Sequence, residues 1–115
     1  MREATVMLVG RDRTLTETVH ELVRSLADLR LIVSPGVDQA LSRLGEGDVA
    51  LAVFHQAPGD GVEAVTSWVR GVSARGRSVA TLVISDRHES LQELALLRLG
   101  VADYLSRPLD LNRLS

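Results

Sequence analysis

The chain has 115 residues, room for one domain and not for two; it is 45% hydrophobic but only 3% aromatic, so its core is built from Leu, Val and Ala. A formal net charge of −2 gives no electrostatic ground for direct nucleic-acid binding, which calls for a basic domain. The absence of cysteine excludes disulfides and thiolate metal sites and fits a reducing cytoplasm, and no apolar run approaches the roughly 20 residues that cross a bilayer.

Thr5 to Val9 is an apolar run of strand type, ended by Gly10. Thr14 and Glu17 then have the spacing of a capping box, and Leu15, Val19, Leu22, Val23 and Leu26 recur at helical spacing. Leu29 to Val33 predicts a second strand and Ser34-Pro35-Gly36 a turn. Val37, Ala40, Leu41 and Leu44 mark a short second helix, ended by Gly45 and Gly47. Val49 to Phe54 is a third strand, apolar throughout as in a sheet covered on both faces. Val62, Val65, Trp68, Val69 and Val72 predict a third helix, with Trp68 in the core, and residues 73–78 a loop whose arginines face solvent. Val79 to Ile84 is a fourth strand. Leu91, Leu94, Ala95 and Leu97 lie on a fourth helix stopped by Gly100. Ala102 to Leu105 is a fifth strand, and Asp110 caps a fifth helix barely begun at Ser115. Strands alternating with helices imply a parallel sheet with helices on both faces.

In such sheets chemistry sits at the carboxyl ends of the strands. The third strand offers little there: no carboxylate lies between Asp48 and Asp60, and the polar side chains at its end are His55 and Gln56. The three histidines, His20, His55 and His88, are scattered with no acidic partner at ligand spacing, so His55 reads as a partly exposed strand-end residue. The Gly10-Arg11-Asp12 turn lacks the glycine pattern of a nucleotide loop.

From Val6 to Leu114 the chain resembles a response-regulator receiver domain of the CheY-like family. The strongest part is the ending, L-L-R-L-G-V-A-D-Y-L-S-R-P-L-D-L, where the family has an aromatic ahead of a Lys-Pro pair. The resemblance implies a flavodoxin-like, doubly wound αβα sandwich with a five-stranded parallel sheet in the order 2-1-3-4-5, its fifth helix truncated here. It places Tyr104 on the switch aromatic, Arg107 on the lysine before Pro108, and Ser85 on the hydroxyl residue that contacts the phosphoryl group. The acidic half departs from the pattern. Gly10 and Arg11 stand where the family has the carboxylates that hold Mg²⁺, and Asp12 is the only remnant. Counting back from Pro58 puts the phosphoacceptor at Phe54; counting back from Asp60-Gly61 puts it at Val53. Neither side chain accepts a phosphoryl group.

Gly10, Arg11, Asp12, Val53, Phe54, His55, Ser85 and Arg107 thus form a degenerate phosphorylation pocket. No catalytic residue, metal site or cofactor is expected in it. Arg11 is either a solvent-facing loop residue or a fixed cation bridging Asp12 or Asp86, and Tyr104 either a packed aromatic or a rotating switch. The resemblance implies a phosphorylation-independent, non-enzymatic interaction domain, the N-terminal part of a longer cytoplasmic regulator with a transcriptional output. Its partner face, for a protein, its own output domain or a second copy, is the fourth helix, fifth strand and fifth helix around Ser85, Arg98, Tyr104, Arg107 and Pro108. A different class remains open: a flavodoxin-like domain that binds or transforms a small molecule in the crevice of Gly10, Asp12, His55 and Ser85.

Overall fold

The computed structural model describes residues 4–26, 28–46, 49–57 and 61–106. Along it run β1 (Ala4–Val9), α1 (Arg13–Arg24), β2 (Leu29–Ser34), α2 (Val37–Ser42), β3 (Val49–Gln56), α3 (Glu63–Ala74), β4 (Ala80–Ser85), α4 (Ser90–Leu99) and β5 (Asp103–Ser106). A single 3-10 turn, Leu44–Glu46, follows α2. All strands pair in parallel, as their alternation with helices predicts, and in the order β2-β1-β3-β4-β5, as the resemblance implies. Arg107, Pro108 and the fifth helix expected from Asp110 lie outside the described residues.

The strands' period of two divides the core between the faces of the sheet. Val6, Leu8, Val53, Ile84 and Leu105 point to one face and pack under Leu15, Val19 and Val23 of α1. Met7, Val9, Phe54, Val83 and Tyr104 point to the other, against Ala40 of α2, Val65, Trp68 and Val72 of α3, and Leu96 of α4. Trp68 is fully buried. Its ring meets Phe54 at 5.7 Å in a tilted pair, and its Nε1–H donates to Thr81 Oγ1 at 3.1 Å. A buried indole needs such a partner, and Thr81 on β4 provides it.

Two local expectations are corrected. Thr14 does not cap α1: the helix begins at Arg13, and Asp12 is its N-cap, accepting the Leu15 N–H at 2.8 Å. A carboxylate there also meets the positive end of the helix dipole with a charge that the Thr14 hydroxyl, two residues further in, lacks. Second, β3 runs two residues past its apolar stretch, because the ladder with β4 continues through His55 opposite Ile84 and Gln56 opposite Ser85. The fourth helix forms where the sequence places it, stopped by Gly100; it buries only Leu96 in full, while Leu91, Leu94 and Leu97 face outward, Leu91 being 84% exposed.

Candidate functional site at the strand ends

The carboxyl ends of β1, β3 and β4 converge on a solvent-open crevice of about 510 Å³. Gly10, Arg11, Asp12, Phe54, His55 and Asp86 are among the residues that line it, with Pro35 and Val37 on its far side.

Both counts along the sequence land inside the protein. Val53 is buried against α1 and Phe54, 3% exposed, against Trp68. Phe54 borders the crevice with a side chain that is almost wholly buried, and His55 is the residue of this strand end that brings a polar, titratable group to it. Gly10 makes room for His55. Its φ of +150° suits glycine, and a Cβ on Gly10 would come within 2.9 Å of the His55 Cβ.

The imidazole of His55 is not the isolated group that the sequence suggests. Its Nε2 lies 3.0 Å from Asp86 Oδ1 and 3.9 Å from Asp12 Oδ2. The His55 side chain is 9% exposed, those of Asp12 and Asp86 23% and 26%. Asp12 divides its carboxylate: Oδ1 caps α1 while Oδ2 faces the histidine. Three residues from three separate loops and strands, 31 and 43 positions apart in the cases of His55–Asp86 and Asp12–His55, thereby form one cluster whose ligand atoms lie within 4.8 Å of one another. Asp86 was named from the sequence only as a partner for Arg11. Its signal was its place directly after the β4 strand, at the same end of the sheet as Asp12.

Arg11 is exposed, and among the described residues it makes no ion pair with Asp12 or Asp86, so the bridging role weighed for it is not what the structure displays. Ser85 is buried and turned away from the crevice: its Oγ–H donates to the Arg87 carbonyl at 2.5 Å, and it accepts the Arg87 N–H at 3.3 Å. Tyr104 is 3% exposed and closes on the same loop. Its hydroxyl donates to the Arg87 carbonyl and accepts the Glu89 N–H, both at 3.3 Å, and His88 meets its ring edge-on at 5.8 Å. Ser85 and Tyr104 thus hold one loop between them. Gln56, buried at the end of β3, donates to the Gly61 carbonyl at 2.8 Å and to Gln92 of α4 at 3.3 Å. Arg98 is exposed on α4.

The donor set does not suit Mg²⁺, which demands octahedral oxygen ligands and keeps much of its water. An imidazole nitrogen stands at the centre of the cluster, and Gly10 offers no side-chain oxygen.

No family model and no curated protein matches the chain. Solved structures do. The signal receiver domain of a putative LuxO repressor protein from Vibrio parahaemolyticus superposes with a TM-score of 0.78 at 16% identity, covering 99% of this chain and 85% of that one. A CheY-like response regulator protein from Mesorhizobium loti gives 0.74 at 21% identity, over 99% and 93% of the two chains. The receiver domain of the Saccharomyces cerevisiae response regulator Ssk1, solved with the histidine phosphotransfer protein Ypd1, gives 0.75 at 18% identity, over 98% and 84%. The fold is that of receiver domains. At these identities the likeness establishes architecture and says nothing of chemistry.

Proposed function

We propose that this chain is a phosphorylation-independent, receiver-like signalling domain of a two-component-type regulator, an interaction module and not an enzyme. The observation that carries the proposal is the identity of the residue that β3 presents to the crevice. It is an imidazole held by Asp86, while the positions matched to the phosphoacceptor, Val53 and Phe54, are core residues. Among the described residues, β3 brings no carboxylate to the crevice and Gly10 brings no side-chain ligand.

The domain works by contact. On α4, Leu91, Leu94 and Leu97 are exposed at intervals of three, an apolar stripe that costs solubility unless something covers it. Arg98 borders it, and Tyr104 lies beneath the neighbouring loop. This face serves a partner protein, a second copy or an output domain in the same polypeptide. Partner binding has a parallel in the Ssk1 receiver, solved with a phosphotransfer protein, and a receiver as one part of a regulator in the protein described as a putative LuxO repressor. Tyr104 acts here as a packed aromatic that fixes the loop from Arg87 to Glu89.

Intact-mass spectrometry after incubation with acetyl phosphate and Mg²⁺ tests the proposal: the mass stays unchanged. A stoichiometric adduct, base-labile on a carboxylate or acid-labile on His55, overturns it. A second reading, a small-molecule site of the flavodoxin-like kind, is favoured by one observation, the size of the crevice, which lies within the usual range of ligand pockets, roughly 300–1,000 Å³.

A further inference from the structure

We infer that Asp12, His55 and Asp86 form a binding site for a first-row transition-metal dication, with Zn²⁺ as its simplest occupant. The inference goes beyond the signalling reading and stands or falls independently of it.

The geometry is the first ground. One nitrogen and two carboxylate oxygens gather within 4.8 Å at the wall of an open crevice. Two ligands held at about 2.0–2.1 Å from one Zn²⁺ lie roughly 2.9–3.4 Å apart, for angles between octahedral and tetrahedral. His55 Nε2 and Asp86 Oδ1, at 3.0 Å, are already within that span. Asp12 Oδ2, at 3.9 Å from the same nitrogen, needs to close by about half an ångström. Such a movement is a small rotation of a carboxylate whose other oxygen stays anchored on the Leu15 N–H.

The chemistry of the donors selects the metal. Imidazole suits Zn²⁺, Ni²⁺, Co²⁺ and Cu²⁺, whereas an all-oxygen set is what Mg²⁺ and Ca²⁺ require. The metal takes the place of the proton that His55 Nε2 now shares with Asp86 Oδ1. Three protein ligands leave further coordination positions, and these face the crevice, where water or a ligand group reaches them.

The scaffold supplies rigidity. The His55 side chain is more than nine-tenths buried, seated against Gly10, whose φ of +150° brings the end of β1 up to it. Asp12 is fixed by the helix cap, an arrangement that orients a ligand as second-shell hydrogen bonds do in known metal sites. Asp86 is held at the end of β4 by its N–H on the Gln56 carbonyl at 3.3 Å. None of these constraints involves the exposed pair His88–Glu93, which offers only two ligand groups.

The test is a titration of the purified protein with Zn²⁺ against a chromophoric chelator, repeated with Co²⁺ to read visible d–d absorption. The wild type binds one equivalent, and millimolar Mg²⁺ does not displace it. His55→Ala, which keeps the Cβ that packs on Gly10, and Asp86→Asn each weaken binding by about tenfold or more. His88→Ala and His20→Ala leave it unchanged. Circular dichroism shows that each variant is folded, and a Co²⁺ spectrum that His55→Ala abolishes assigns the ligand even if one variant is destabilised. Equal affinity in wild type and His55→Ala, or a loss that follows His88 instead, overturns the assignment.

Discussion

Placing an aspartate at each of the two neighbouring positions Phe54 and His55 separates a core residue from a crevice residue. Phe54 is 3% exposed and pairs with Trp68 at 5.7 Å. Losing a buried phenyl ring costs about 3–5 kcal/mol through transfer and cavity formation. A carboxylate left there without a partner adds a few kcal/mol more, or is forced to protonate. The total for Phe54→Asp reaches or exceeds about 5 kcal/mol, comparable to the whole stability of a domain this size. His55→Asp meets a different environment. It puts a third carboxylate beside Asp12 and Asp86, where mutual repulsion costs about 1–3 kcal/mol. It also turns the cluster into an all-oxygen set, which Mg²⁺ favours. At a Mg²⁺ concentration 100 times its dissociation constant, about 2.7 kcal/mol of stability returns. Urea denaturation followed by circular dichroism, with and without Mg²⁺, measures both variants. The reasoning is refuted if Phe54→Asp loses less than about 2 kcal/mol, or if His55→Asp loses as much as Phe54→Asp and ignores Mg²⁺.

Two further substitutions probe the supports of the site. Gly10→Ala forces a side chain into a left-handed backbone and within 2.9 Å of the His55 Cβ, so it costs about 1–3 kcal/mol in the same urea assay; a neutral result means that β1 and β3 do not approach as closely as described. Trp68→Phe removes the indole donor from the Thr81 hydroxyl and leaves a smaller ring against Phe54, a loss of about 1–3 kcal/mol; double replacement with Thr81→Val recovers part of it, and strict additivity in that cycle would deny the hydrogen bond.

Much of the fold is legible in the sequence because its signals are local. The apolar runs from Thr5, Val49 and Val79 and the helical spacing of Leu15, Val19 and Val23 each specify an element, and their alternation specifies a parallel sheet. Boundaries are less legible where tertiary bonds set them. Hydrophobicity ends β3 at Phe54, yet the ladder to β4 carries the strand on to Gln56, and those two residues bring His55 to the crevice. Asp12 shows the same effect on a smaller scale. Thr14 and Glu17 match a capping pattern, but the residue whose backbone stays extended at the helix start is Asp12. The leucines of α4 specify a helix, and only packing shows that Leu96 is the residue turned inward. The cluster of Asp12, His55 and Asp86 has no local signature at all. Three sequence-distant strand ends meet because parallel strands end together, and no spacing rule along the chain encodes that meeting.

The measurement that bears most directly on the account is a set of amide NMR spectra recorded before and after addition of acetyl phosphate with Mg²⁺. Ser85, Arg87, Glu89 and Tyr104 form a hydrogen-bonded unit between the ends of β4 and β5 and the start of α4, so their amides report any rearrangement there. The account predicts that the amide peaks of Arg87, Glu89 and Tyr104 stay within their linewidths, because no acceptor carboxylate stands at the end of β3 and the tyrosine is already seated on its loop. A second set of peaks for β4, α4 and β5, growing with phosphodonor and vanishing on its removal, would contradict it.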